Sequence, residues 1–143
     1  MDLFSRKVVG WDLSPSLKTE STVKAFENAV CQRNPPKGLI VHSDRGIQYA
    51  SGDFRHCLKK HACIQSMSRK GNCWDNAVVE SFFGSLKKRL IYQRKYENAE
   101  DLRKDLFHYI EVYYNRFRKH SYNNYMIPEQ KDSIFIRNNK LVA

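Results

Sequence analysis

The sequence predicts an α/β protein, a β-sheet covered by helices, and three observations carry that expectation. Short strand-like runs alternate with longer stretches of helical periodicity. Leu39-Ile40-Val41 is apolar on consecutive positions between turn signals, the pattern of a short buried strand. The chain of 143 residues, 41% of them hydrophobic, is long enough for one domain with a core of its own.

The elements follow in order. Lys7 to Leu13 mixes β-branched and aromatic residues and reads as a strand, broken by Ser14-Pro15-Ser16. Thr19 to Gln32 reads as a helix with Val23, Phe26 and Val30 on one stripe and Thr19 or Ser21 as N-cap. Asn34 to Gly38 is a loop, and the strand Leu39 to Val41 follows. A helix is expected from Gly52 to Lys60, and a strand from Cys63 to Met67. Ser68 to Asp75 is a basic, glycine-containing loop. A long helix runs from Asn76 to Leu90, with Asn76 as the simplest N-cap. Another runs from Ala99 to Asn115, capped by Asn98, with Leu102, Leu106, Tyr109, Ile110 and Tyr113 on one face. The pattern dissolves past Arg116, and Ile134 to Ile136 marks a last short element. The domain expectation is a core over residues 1–127 and a C-terminal tail over 128–143.

Charge narrows the partners. Twenty-five lysines and arginines stand against 15 acids, a net +10, which favours a polyanion and above all nucleic acid. No stretch approaches the length of a membrane span, and Asp2 with no apolar segment after it argues against a signal peptide. The expectation is a cytoplasmic protein with no membrane partner and no small-molecule substrate. Disulfides are then not expected among Cys31, Cys57, Cys63 and Cys73. His56 to Cys63 packs two cysteines and two histidines together, and Cys57 and His61 share a face at i, i+4. With no CxxC pair and no second cluster at zinc spacing, the stretch reads as an amphipathic helix that carries these residues, with a zinc module as the competing account.

Two carboxylates stand out. Asp44 follows the strand at Val41, and ligands of open α/β sheets bind beyond the carboxyl ends of strands. The plain alternative is an aspartate that caps the His42-to-Gly46 turn. Glu80 lies at the edge of the stripe formed by Val79, Phe83, Leu86 and Leu90, near Asn76, Gly84 and Lys87. It is either a site carboxylate or a surface residue paired with Lys87 or Arg45. Gly84 costs the helix about 1 kcal/mol against alanine, which points to a close approach there. Converging carboxylates suit Mg²⁺, and paired metal ions suit phosphodiester transfer. Arg69, Lys70 and the run Lys87 to Arg89 flank the proposed site in sequence and supply charge for phosphate.

Four blocks then carry a resemblance: DLFSRKVVGW, HSDRGIQYAS, SMSRKGNCWDNAVVESFFGSLK and YYNRFRKHSYNNYMIPEQ. Together they closely resemble the catalytic region of bacterial insertion-sequence transposases of the "IS three" family, relatives of retroviral integrase. The resemblance covers nearly the whole chain. It implies a ribonuclease-H-like (integrase core) fold and a signature of Asp, Asp, 35 residues, then Glu. Asp44 matches the second aspartate and Glu80 the glutamate, with thirty-five residues between them. It also implies Mg²⁺ or Mn²⁺ as cofactor, DNA as partner and substrate, action as a multimer that could include intact transposase, and a bacterial, nucleoid-associated setting. Gln48 and Tyr49 would line the DNA groove, Asn76 would orient Glu80 or touch DNA, and Arg116, Arg118, Lys119 and His120 would grip phosphate.

The first aspartate of the signature, on the central first strand in a Thr-Asp-Ile-Thr-Tyr type motif, has no match in these residues. Asp2 and Asp12 match other positions and do not replace it. The expectation is therefore an N-terminally truncated core without its central strand, marginal in stability and not competent alone. A non-catalytic basic DNA-binding fragment is the other reading. Arg89, Ala62-Cys63 and Asn123 to Tyr125 depart from the family pattern and bear on local packing.

Overall fold

A computed structural model describes residues 1–69 and 73–140. The chain divides into two compact units, Val9–Ala77 and Met1–Val8 with Val78–Ala143.

The first unit holds the sheet. Its elements are α1 (Thr19–Arg33), β1 (Ile40–Ser43), α2 (Gly52–Lys60) and β2 (Ile64–Met67). β1 and β2 pair in parallel, with Ile40 opposite Ile64 and Ser43 opposite Met67. No other strand exists among the described residues, so the sheet is partial and open. β1 was expected to be buried, and here the expectation fails. Ile40 is 64% exposed and His42 is exposed, while Val41 is half-buried and Ser43 buried. That alternation is the pleat of a strand covered on one face only. The consecutive apolar run reflects residue type and not two-sided cover.

α2 has the predicted limits, and Ser51 caps it by accepting from the Phe54 amide at 3.2 Å. α1 starts at Thr19, but neither Thr19 nor Ser21 caps it. Lys18 stands at the N-cap without a side-chain bond, and the Ser21 hydroxyl instead donates to Asp12 at 2.9 Å. Val23, Phe26 and Val30 are half-buried, and the Phe26 ring meets Phe54 edge-on at 5.9 Å.

The strand expected at Lys7 to Leu13 does not form. A strand exists by pairing, and no ladder partner lies beside it among the described residues. Other elements satisfy its backbone. The Trp11 carbonyl accepts from the Asn28 side chain at 3.1 Å, and Gly10 lies flat against α1 at Ala25 and Ala29.

The second unit is helical: α3 (Ala77–Leu86), α4 (Ala99–Phe107) and α5 (Pro128–Lys140). α3 runs into a π-helical turn, Lys87–Ile91, and α4 into a longer one, His108–Tyr114. Asn98 caps α4 as expected, accepting from the Asp101 amide at 2.9 Å. Leu106, Tyr109 and Ile110 are buried as expected, but Tyr114 is buried in place of Tyr113. A π turn holds more residues than an α turn, which moves the register by about one position.

The α3 stripe is also displaced. Phe82 and Leu86 are buried, whereas Val79 and Phe83 are exposed. Phe82 takes the inner place because its ring meets Tyr114 edge-on at 4.9 Å. Adjacent phenylalanines give a helical wheel two near-equal solutions, and the partner decides between them.

The first eight residues are held by side chains. Asp2 accepts from the Ser5 hydroxyl and from the Phe4 and Ser5 amides. Lys7 pairs with Glu129 at 2.6 Å and with Asp132 at 3.2 Å, tying this segment to α5. Asn123 donates to the Ser5 carbonyl at 2.7 Å, and Asn115 pairs with both backbone groups of Val8.

Gly84 has open space where a Cβ would stand, so nothing among the described residues approaches it closely. Gly84→Ala is therefore expected to raise stability by about 0.5–1 kcal/mol through helix propensity. Urea denaturation checks it, and a destabilised variant would refute it.

Candidate functional site

Asp44 stands just past the C-terminal end of β1 with its side chain exposed. One oxygen accepts from the Gly46 amide at 2.8 Å, so half the carboxylate fixes the turn. One oxygen caps the turn, as the plainer sequence reading expects, and the side chain still faces solvent.

A polar network braces the base of this turn. Arg45 Nε donates to the Ser68 carbonyl at 2.9 Å. The buried Ser68 hydroxyl lies 2.9 Å from Asn76 Oδ1, 3.2 Å from the Ser43 carbonyl and 3.2 Å from His42 Nε2. It carries one proton, and both oxygens can only accept. The bond to His42 therefore needs the proton on Nε2, which leaves Nδ1 of a neutral ring to accept from the Ser66 hydroxyl at 2.9 Å. His42, Ser66 and Ser68 were missed from the sequence as positioning residues. The parallel register that sets His42 opposite Ser66 was the signal.

Tyr49 packs as much as it presents. Its ring meets Phe54 edge-on at 5.4 Å, and its carbonyl accepts from Gln65 at 2.7 Å. Burial, with the Asp44 charge second, pushes its phenol up. Gln48 lines a cleft of about 210 Å³ with Asp12, Leu13, Leu17 and Ser21. Asn76 is committed to Ser68, which answers the cap assignment: its side chain joins the two ends of the loop instead. Arg69 forks onto Asp75 through Nε at 3.3 Å and a terminal nitrogen at 3.1 Å, and its amide donates to the same carboxylate at 3.1 Å. Those bonds hold the Asp75 carboxyl below the usual range. Lys70 lies outside the described residues.

Asp2 and Asp12 are both occupied elsewhere, Asp2 at Ser5 and Asp12 with Ser21 and with Lys24 at 3.2 Å.

In the helical unit, Glu80 sits in the first turn of α3 and is exposed, on the side away from Phe82 and Leu86. It forms no ion pair with Lys87 among the described residues, and Lys87 is itself exposed. Cations here stand over aromatic rings. Arg6 lies 3.7 Å above Tyr122, Arg118 5.2 Å from Tyr114 and Arg89 5.5 Å from Tyr113. Arg116 and Lys119 are exposed. His120 meets Tyr114 edge-on at 4.9 Å, and burial, with Arg118 and Arg6 adding to it, pulls its imidazole down.

One further group among the described residues could hold a metal ion: Glu27, Cys57 and His61, whose ligand atoms all lie within 4.8 Å of one another. Glu27 joins from α1, a contact that the i, i+4 spacing in α2 could not reveal. No helix of the described residues is long and apolar enough to cross a membrane.

Comparison with known proteins bears on the whole chain. The integrase core domain family matches residues 1–73 and, overlapping, residues 61–128. The chain is 45% identical over 130 residues to the transposase InsF for insertion sequence IS3A of Escherichia coli (strain K12), covering 91% of this chain and 45% of that protein. It is 41% identical over 129 residues to the transposase for insertion sequence element IS904 of Lactococcus lactis subsp. lactis (strain IL1403), covering 90% of this chain and 51% of that one. The chain spans about half the length of these curated relatives. Among solved structures, a chain of the simian T-cell lymphotropic virus intasome in complex with PP2A regulatory subunit B56 gamma matches with a TM-score of 0.56 at 18% identity. That match covers 75% of this chain and 37% of the other. The fold is accordingly the ribonuclease-H-like integrase core with a partial, open sheet. The motifs, the sheet and these relatives agree: the chain belongs to the integrase core family, among the retroviral-integrase-like insertion-sequence transposases.

Proposed function

We propose that this chain contributes two carboxylates, Asp44 and Glu80, to a divalent-metal site for DNA cleavage and strand transfer in transposition. The observation that carries the reading is Asp44 itself: an exposed carboxylate just past a parallel strand, held by a braced turn and committed through one oxygen only. Its thirty-five-residue spacing to Glu80 supports the pairing. The donor set fits Mg²⁺ or Mn²⁺, which take hard oxygen ligands. Bound there, the metal would supply Lewis acidity for phosphodiester transfer. The chain's own part is orientation. Gly46 aims Asp44, and Arg45, Ser68, Asn76 and His42 keep its turn in place.

Two carboxylates hold such an ion weakly. The family's first aspartate has no match among these 143 residues, so on this reading a third carboxylate is supplied from outside them, by a longer chain or by a second copy.

DNA is the substrate on this reading. The net charge of +10 and the guanidinium groups over Tyr113, Tyr114 and Tyr122 favour it. The same features support the second reading, a DNA-binding fragment that does no chemistry.

Mn²⁺ titration followed by paramagnetic broadening separates the two. Amide signals at Asp44 to Gly46 and around Glu80 are expected to broaden first. Asp44→Asn should remove that selectivity while leaving affinity for duplex DNA intact. Equal broadening in wild type and Asp44→Asn would remove the metal role and leave the fragment reading. In parallel, log affinity for DNA should fall linearly with log salt. Undetectable binding at physiological salt would sink both.

A further inference from the structure

We propose that Glu27, Cys57 and His61 form a second metal site, of the zinc class, that staples α1 to α2. It is independent of the carboxylates proposed above.

The three ligand atoms already lie within 4.8 Å of one another. Ligands at tetrahedral zinc sit about 3.3–3.8 Å apart, given metal–ligand lengths of about 2.0–2.3 Å. The difference from that bound is about 1 Å, on the scale that side-chain rotation covers. Cys57 and His61 are one helical turn apart at the end of α2, His61 being its C-cap. Glu27 reaches them because α1 and α2 are packed through Phe26, whose ring stands 5.9 Å from both Phe54 and the His61 imidazole.

The pocket is short of partners. Cys57 is 5% exposed, and His61 Nε2 is buried with no hydrogen-bond partner among the described residues. A buried imidazole nitrogen without a partner is costly, and a metal ion or its bound water would satisfy it. Among the described residues the cation that approaches Glu27 is Lys60, at a loose 3.7 Å with both side chains well exposed.

The donor set selects the metal class. Thiolate, imidazole and carboxylate suit borderline-soft Zn²⁺, and they do not suit Mg²⁺, which requires hard oxygens. Binding forms a metal–sulfur bond and releases the Cys57 proton to solvent, so affinity falls as pH falls. A water completes the fourth position. Cys63 is not a ligand: its sulfur lies 3.6 Å from the His61 carbonyl, which places it at the backbone of the helix end.

Co²⁺ is the probe, titrated into the full chain and then displaced by Zn²⁺. One equivalent should bind with a near-ultraviolet thiolate-to-cobalt band. Cys57→Ser should abolish the band, and Cys31→Ser and Cys63→Ser should keep it. Glu27→Gln, an exposed change that spares the core, should weaken binding by about tenfold or more with an unchanged circular dichroism spectrum. If Cys57→Ser fails to fold, Glu27→Gln and His61→Gln decide. The proposal is overturned if folded wild type shows no band at millimolar Co²⁺, if Cys57→Ser retains it, or if Glu27→Gln binds as tightly as wild type.

Discussion

Asn115→Ala is expected to lower the unfolding free energy by about 3 kcal/mol. The asparagine amide carries one acceptor and one donor, like a peptide group, and it treats Val8 as a neighbouring strand would. Its oxygen accepts from the Val8 amide at 2.9 Å, and its nitrogen donates to the Val8 carbonyl at 3.0 Å. Asn115 is 1% exposed and Val8 5%, so water cannot take over either bond without opening the unit. Truncation strands two buried backbone groups, each costing about 1–3 kcal/mol. Leucine would restore volume but not the bonds, so Asn115→Leu should lose nearly as much. Aspartate keeps the acceptor, but it sets a carboxylate against the Val8 carbonyl and close to Glu111, whose oxygen is 3.4 Å from the asparagine nitrogen. It should be no better than alanine. Urea denaturation gives the magnitude, and exchange of the Val8 amide gives the location. An Asn115→Leu protein as stable as wild type would show that these bonds contribute nothing net. Asn115 lies in the block YYNRFRKH, beside basic residues that suggest DNA. The structure gives it another task, which is to bond both backbone groups of Val8.

The same contrast explains what the sequence could and could not reveal. α2 has its predicted limits, and α1 and the Asn98 cap emerge from local rules, because periodicity and capping are settled within a few residues. Strand formation is not local. Lys7 to Leu13 has strand composition, but pairing decides, and its backbone is met instead by side chains, Asn115 at Val8 and Asn28 at Trp11. The inner face of α3 depended on which phenylalanine met Tyr114, and the buried tyrosine of the next helix on a π turn that no propensity predicts. For the candidate site, the motif spacing is what singles out Asp44 and Glu80 for the proposal, and the turn at Asp44 matches the expected cap. What escaped was long-range. His42 meets Ser66 across the sheet, and Glu27 reaches Cys57 and His61 from another helix.

Gly10→Ala is the second change with a large expected effect, a loss of about 2–3 kcal/mol. A Cβ on Gly10 would stand 2.4 Å from the Ala25 carbonyl oxygen, 2.6 Å from the Ala29 amide nitrogen and 2.7 Å from the Ala29 Cβ. Two of these three atoms belong to the backbone of α1 and cannot rotate away. The helix must shift bodily or the segment must lift off. The second substitution Ala29→Gly discriminates between causes. It removes only the Cβ contact, leaves both backbone clashes, and adds about 1 kcal/mol of helix cost. The double variant should therefore be no more stable than Gly10→Ala alone, and recovery would place the clash in the Ala29 side chain instead. A glycine inside a strand-like run was the available signal, since it often marks a close backbone approach. The consequence reaches further than stability. α1 carries Glu27 and Phe26, which face α2, and Asn28, which holds Trp11. A displaced α1 should also separate Glu27 from Cys57 and His61, so Gly10→Ala should weaken Co²⁺ binding without touching any proposed ligand.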